Sequence, residues 1–295
     1  NKAVTDFALL KLKSDAKTRN ESKFLKQIVE NVELSPTNLN SYITCQLEFK
    51  YNYLVKVPSV SNQATALGTA IHSALEKWNR NIMESKPTSF EELVSQVNLK
   101  VSKEIIPIAM QDSVVKEGIK LLQGYFDYYK GISRKPVKVE YNFSQRNIYF
   151  PLSNGENIKL TGKIDCIDLI DKNTISLIDY KVSSPKYPKL IIGNPPYWEN
   201  NYRQLLFYKL LIDLDTTFFV DRSLTKPGVL EVILNYVKPQ KQQYIQRAFV
   251  ITSDETDAFK SLINKVTLNI KNLEFYGTNE FPLCKKCKWC QLNLA

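Results

Sequence analysis

The stretch 159–184, KLTGKIDCIDLIDKNTISLIDYKVSS, limits the fold more than any other part of the chain. Ile, Leu and Val recur through it in two runs, and Asp171-Lys172-Asn173 separates them. This is the composition of two β-strands joined by a tight turn. Asp165 falls in the first strand, and Asp179 and Lys181 in the second. Residues i and i+2 of a strand face the same side, so Asp179 and Lys181 share a face, and hairpin pairing brings Asp165 alongside them. Two carboxylates and a lysine at one end of a sheet can hold a hard divalent cation with a cationic group beside it. Taken alone, Asp-x-Lys is also what solvated strand ends look like, and short motifs match often by chance.

The pattern around this hairpin is helical before it and mixed after it. Residues 1–33 read as helix with some disorder. Ser35-Pro36 is a helix start, an N-cap serine followed by proline at the first helical position. The helix it opens carries Leu39, Ile43, Leu47 and Leu54 as a stripe, with Cys45 among them. A second helix, ALGTAIHSALEKWNRNIM, holds His72, the one histidine of the chain. Read by itself, a lone helical histidine is a structural residue. Further helices are expected over 90–108, opened by a Ser89/Glu92 capping box, and over 112–129. Strand patterns begin at Lys138 and at Asn147, with Asn154-Gly155 as a hairpin turn. A Pro- and Asn-rich loop (184–201) follows the central hairpin. Next comes a helix over 202–213 with Gln204 and Tyr208 on one face, then a mobile-looking link. Strands over 229–237 and 246–251 and a helix capped by Ser253 complete the pattern.

Charge narrows the partner class. The 295 residues include 40 Lys and Arg against 30 Asp and Glu, a net charge of +10. That favours a polyanion, either nucleic acid or an acidic membrane face. No apolar run approaches the roughly 18 residues needed to span a bilayer. The polar, charged start lacks the form of a secretory signal, and a first residue of Asn suggests a segment of something longer. Five cysteines without such a signal point to the cytoplasm and to reduced or ligating thiols. Three of them, Cys284, Cys287 and Cys290, form C-x2-C-x2-C, a density that usually binds metal. A fourth ligand is needed and Cys45 is the natural candidate, whereas Cys166, beside Asp165 in a strand, reads as core. Thiolates hold zinc or a [4Fe–4S] cluster, and spacing does not choose between them. The absence of a G-x-x-x-x-G-K-[ST] loop argues against ATP binding by that device.

Four motifs occur in order: Gly68-Thr69-Ala70-Ile71-His72, Gly162-Lys163-Ile164-Asp165, Asp179-Tyr180-Lys181, and Gln204-x-x-x-Tyr208. On these the chain resembles the PD-(D/E)XK nuclease superfamily in its RecB-like branch. The setting of Cys45 (Y-x-x-C-x-x-x-F-x-Y) and the terminal cysteines resemble the iron–sulfur version found in AddAB helicase–nucleases. The run LSPTNLNSYITCQLEFKYNYLVKVPS and the ending CKKCKWCQLN are similar to the C-terminal nuclease region of UvrD-type superfamily 1 DNA helicases. The resemblance covers residues 34–295. The chain differs in having Gln46 where proline is common after the first cysteine, and C-x2-C-x2-C where C-x2-C-x5-C is usual.

The resemblance implies an α/β fold with a restriction-endonuclease-like core, a mixed sheet flanked by helices with an N-terminal helical part. It implies a linker or tail over 1–33 and a nuclease domain over 34–295. Within that domain the helical part is 34–134, the catalytic sheet and helices are 135–280, and the Cys-rich tail is 281–295. Asp165, Asp179, the backbone carbonyl of Tyr180 and His72 would bind Mg2+ or Mn2+. Lys181 would orient the attacking water, help deprotonate it and neutralise the charge that grows on the phosphate. Gln204 and Tyr208 would position DNA and the active-site strands, and Glu140 would support the ligands or hold a second ion. Cys45, Cys284, Cys287 and Cys290 would hold a [4Fe–4S] cluster or zinc. The implied activity is metal-dependent hydrolysis of DNA, as an exonuclease on single-stranded ends, fed by helicase domains of the same parent chain in DNA repair and recombination. A catalytically silent DNA-binding scaffold and a purely structural metal-stapled domain are the other readings. Affinity that falls steeply with salt is expected of the first two and not of the third.

Overall fold

The computed structural model describes residues 15–58, 62–218 and 226–293. The expected disorder at residues 1–14 and residues 219–225 of the link lie outside them. The chain forms two compact units that alternate along the sequence. One comprises Asn1–Pro58, Asn147–Thr161 and Asp257–Ala295, and the other Ser59–Arg146 and Gly162–Thr256. No helix among the described residues is long and apolar enough to cross a membrane.

The interleaved unit begins with helix α1 (Asp15–Glu30) and the two-residue strand β1 (Glu33–Leu34). Helix α2 (Pro36–Thr44) starts as expected, with Ser35 and Asn38 exchanging side-chain-to-backbone hydrogen bonds and proline at the first position. The expected continuous helix to Val55 is interrupted at Cys45, whose backbone is extended (φ −164°, ψ 114°). A short helix α3 (Gln46–Phe49) follows and ends in a π-helical turn (Lys50–Leu54). The break has a physical reason: it turns the Cys45 thiol toward the C-terminal cysteines, 3.4 Å from Cys290 Sγ. The fully buried Gln46 compensates in part, because its amide donates to the Tyr42 carbonyl at 2.9 Å. Strands β3 (Tyr149–Pro151) and β4 (Asn157–Leu160) form the Asn154-Gly155 hairpin, with Gly155 at φ 85°. β4 pairs in parallel with β1, so Lys159 and Leu160 belong to this small sheet and not to the central hairpin.

The other unit carries the larger sheet. Its helical layer is α4 (Gln63–Met83), α5 (Phe90–Val101) and α6 (Ile108–Tyr129). The Ser89/Glu92 box is present, but α5 ends at Val101, six residues before Pro107. The sheet order is β2 (Pro136–Asn142), β5 (Lys163–Leu169), β6 (Thr174–Lys181), β7 (Gly228–Tyr236) and β8 (Gln246–Phe249). In this sheet only β6 and β7 run parallel. A parallel neighbour needs a long crossover, and α7 (Pro188–Ile192) and α8 (Asn200–Leu214) lie in that connection. The expected loop over 184–201 thus contains one short helix. β6 is buried along nearly its whole length, as a central strand covered on both faces must be. Cys166, Ile178 and Tyr180 pack into one core with Leu67, Ile71, Leu75 and Trp78 of α4. Asp179 and Lys181 lie on the opposite face, where Tyr208 and Gln204 of α8 meet them. The architecture is a mixed sheet flanked by helices.

The last long helix, α9 (Ser253–Lys271), is capped by Thr252, not Ser253. Thr252 Oγ1 accepts from the Glu255 amide at 3.2 Å, and Glu255 Oε2 accepts from the Thr252 amide at 2.9 Å. Thr252→Ala should therefore lower the free energy of unfolding by about 1 kcal/mol. Ser253→Ala should leave it nearly unchanged. Denaturant midpoints of the two variants check this, and equal midpoints would reject the assignment. A final short helix, α10 (Lys288–Asn293), ends the described chain.

Candidate active site

The register of the central hairpin sets the site. Cys166 pairs with Ile178, and one residue further along each strand come Asp165 and Asp179. Their side chains are 9% and 3% exposed. Two ionised carboxylates so close and so dry require compensating charge. Each has a basic side chain beside it: His72 Nδ1 lies 3.4 Å from Asp165 Oδ2, and Lys181 Nζ lies 2.7 Å from Asp179 Oδ2. The Tyr180 amide also donates to Asp165 Oδ2 at 2.8 Å, so the middle residue of Asp-Tyr-Lys ties β6 to the acid on β5.

A hydrogen-bond chain closes the α8 side. Lys181 Nζ donates to Gln204 Oε1 (2.7 Å), Gln204 Nε2 to the Tyr208 hydroxyl (2.6 Å), and that hydroxyl to Asp179 Oδ1 (3.2 Å). Gln204 and Tyr208 are one helical turn apart, which is why both reach the same acid and lysine. Burial pushes the Asp179 carboxyl up, although the Lys181 charge opposes it. For Asp165 burial acts the same way, but the His72 charge and hydrogen bonds outweigh it and hold the carboxyl below its usual range. Burial works against a charged His72, and the Asp165 carboxylate overcomes it and raises the imidazole.

Glu140 lies closer to the chemistry than its sequence position suggests. His72, Glu140 and Asp165 each offer a donor atom, and these lie within 4.8 Å of one another. Glu140 stands opposite Asp165, between the Val139–Cys166 and Tyr141–Ile164 pairs. Its φ is 51°, a left-handed conformation that a non-glycine residue adopts in a strand only at a cost. Such strain in mid-strand usually aims a side chain. The Glu140 carboxylate is ion-paired with Lys163. Asp179 is not one of the three-donor group, and Lys181 and Tyr208 engage its two oxygens. An imidazole with buried carboxylates is a donor set that suits Mg2+ or Mn2+, so these residues fit such an ion. No local signal marked the strain at Glu140, because φ is set by pairing across the sheet.

The cysteines converge in the interleaved unit. Cys45 Sγ is 3.6 Å from Cys287 Sγ and 3.4 Å from Cys290 Sγ, and Cys284 Sγ is 3.8 Å from Cys290 Sγ. All four thiols lie within 4.8 Å of one another. These separations are far beyond the roughly 2.05 Å of a disulfide, so the thiols are free and can turn on a common centre. Burial raises the Cys284 thiol, but backbone amides of Cys287 and Lys286 outweigh it and bring it down to about 7. Tyr51 stacks on Trp289 beside the group, with ring centroids 4.3 Å apart. Cys166 is fully buried on β5 and outside the group, as expected.

The chain is similar to known proteins over most of its length. A family model described as the PD-(D/E)XK nuclease superfamily matches residues 33–292. An ATP-dependent helicase/deoxyribonuclease chain from Clostridium acetobutylicum is 24% identical over 241 residues, covering 71% of this chain and 20% of its own length. A protein of the same description from Carboxydothermus hydrogenoformans is 24% identical over 188 residues, covering 54% of this chain and 17% of its own. The chain thus spans about a fifth of the length of these relatives. A solved structure from Eubacterium rectale, described as a candidate exonuclease, has a TM-score of 0.47 at 14% identity and covers 88% of each chain.

Proposed function

The chain belongs to the PD-(D/E)XK nuclease superfamily, and from that premise we propose that it hydrolyses phosphodiester bonds in DNA with Mg2+ or Mn2+ at the site of His72, Asp165, Asp179 and Lys181. The observation that carries the reading is the convergence of these four side chains from one helix and two strands, with both acids buried. His72, Asp165, the Tyr180 carbonyl and Asp179 would hold the ion, with Glu140 added as a further carboxylate. When bound, the ion would polarise a phosphoryl oxygen and lower the pKa of an attacking water. Lys181 places a positive charge where negative charge grows on the phosphate, and Asp179 and Gln204 fix its direction. Tyr208 orients Asp179 from the other side.

The finer reading is an exonuclease acting on single-stranded ends, as the nuclease module of a cytoplasmic repair and recombination helicase. The net charge of +10 supports DNA as the partner, and the helicase/deoxyribonuclease name of the two relatives supports a helicase context. The four cysteines would hold a [4Fe–4S] cluster or zinc. A protein whose visible colour bleaches with dithionite would identify iron–sulfur, and a colourless one with stoichiometric zinc would reject it.

The deciding experiment is degradation of 5′- and 3′-labelled single- and double-stranded DNA with Mg2+ or Mn2+, by the wild type and by Lys181→Ala. Cleavage should fall by roughly 10²–10³-fold in the variant. Equal cleavage by both would place the chemistry elsewhere. Salt-sensitive binding with no cleavage by either would favour the silent scaffold.

A further inference from the structure

Behind the acids, on the opposite face of the same strands, lies a buried polar network that the proposed chemistry does not use. Its centre is Arg134, in the segment between α6 and β2, with a side chain 16% exposed. Guanidinium Nε and Nη2 donate to the two oxygens of Asp168 at 2.8 and 3.0 Å. Nη1 donates to Asn79 Oδ1 at 2.9 Å and to the Tyr180 hydroxyl at 3.0 Å, and Nη2 also reaches Cys166 Sγ at 3.4 Å. These contacts engage all five N–H groups that an arginine has. Asn79 Nδ2 in turn donates to the Tyr180 hydroxyl at 3.0 Å. Asn79, Tyr180 and Asp168 are all buried.

The elements joined in this way are the ones that supply the proposed ligands. Asn79 is on α4, two turns after His72. Cys166 and Asp168 are on β5, one and three residues after Asp165 and on the other face. Tyr180 is on β6, between Asp179 and Lys181, and its amide holds Asp165. An apolar core would join a helix to a sheet as well, and at lower desolvation cost. A planar fork with five directed bonds does something an apolar core does not: it fixes the lateral and rotational position of each element.

We infer that Arg134 is a positioning residue for the metal ligands, setting α4, β5 and β6 at the spacing at which His72, Asp165 and Asp179 converge. This role rests on the metal-site reading of the same residues. Outer partners of metal ligands matter in proportion to such orientation, and their loss typically costs about 10–100-fold in metal affinity.

The test is Mn2+ binding to the full chain without DNA, read by electron paramagnetic resonance of free Mn2+, which gives affinity and number of sites separately. Two variants are compared with the wild type: Arg134→Met paired with Asp168→Asn, which removes both buried charges together, and Tyr180→Phe, which keeps the ring and removes only the hydroxyl. In the double variant the dissociation constant should rise about 10–100-fold with the number of sites unchanged. Tyr180→Phe should shift it in the same direction by a smaller factor. A purely structural role would lower the melting temperature, or the number of sites through a misfolded fraction, and leave the dissociation constant of the folded protein alone. That result overturns the inference. Should the double variant not fold, an unchanged constant in Tyr180→Phe overturns it equally. The underlying reading is checked separately: a wild type that does not bind Mn2+, or binding that survives Asp165→Asn, removes the metal site itself and the positioning role with it.

Discussion

Asp165→Asn is expected to abolish DNA cleavage, by roughly 10³-fold or more, while leaving the fold and DNA binding in place. The side chain is the junction of the site. Its Oδ2 faces His72 Nδ1 and accepts the Tyr180 amide, and it shares a three-donor group with His72 and Glu140. Asparagine has the same shape and can still accept from Tyr180 through its amide oxygen, so the hairpin keeps its register. What it lacks is the negative charge, which in a site this buried is the main attraction for a divalent ion. Affinity for DNA should hold or rise, because a carboxylate near a phosphate path repels it. The check is a pair of measurements on one preparation: cleavage of labelled DNA, and affinity for DNA in the presence of EDTA. Cleavage within a factor of about three of the wild type would remove Asp165 from the chemistry. Loss of both cleavage and binding would show that the substitution damages the fold, so that its effect on cleavage says nothing about metal.

Much of this site was readable in the sequence because its parts are short-range patterns. Asp179 and Lys181 face one side because strands alternate, and Asp165 reaches them because the turn at 171–173 is short. Gln204 and Tyr208 meet the same pair because they stand one turn apart on α8. The cysteines were legible as a set because three of them crowd into seven residues. What escaped depends on pairing between distant segments. Glu140 reaches His72 and Asp165 through a left-handed φ that nothing in KVEYN announces. Arg134 lies in a loop, ISRKP, whose composition suggests solvent, yet it meets Asn79, Asp168 and Tyr180 in the interior. The break at Cys45 was hidden because its neighbours continue a helical stripe, and the geometry follows from thiols more than 230 residues away. The division into two units was hidden for a similar reason: the chain passes between them four times, so no single change in composition marks a boundary.

Cys45→Ser is expected to have the largest effect on stability. The chain between Cys45 and Cys290 is 245 residues long, and the only chemical link proposed across it is a metal shared by Cys45, Cys284, Cys287 and Cys290. A cross-link over so long a loop removes conformational freedom from the unfolded chain, worth roughly 5–6 kcal/mol on the loop-closure argument. The local packing is thin. Cys45, Leu47 and Cys290 are buried there, and Tyr51, Leu283 and Trp289 are only partly so. Six-residue α10 is too short to be a stable helix by itself. Serine is nearly isosteric with cysteine but a poor ligand for zinc or iron, so metal should be lost with little steric change. The expected result is a protein without its equivalent of zinc or iron. Protease should cleave it within 283–293, and its denaturant midpoint should fall. Cys166→Ser provides the control, since Cys166 donates to Asp168 Oδ1 and lies outside the thiol group. It should leave metal content untouched. Should Cys45→Ser retain full metal and the wild-type midpoint, the link between the two ends of the chain would be packing alone, and the Cys45 backbone break would have no metal to explain it.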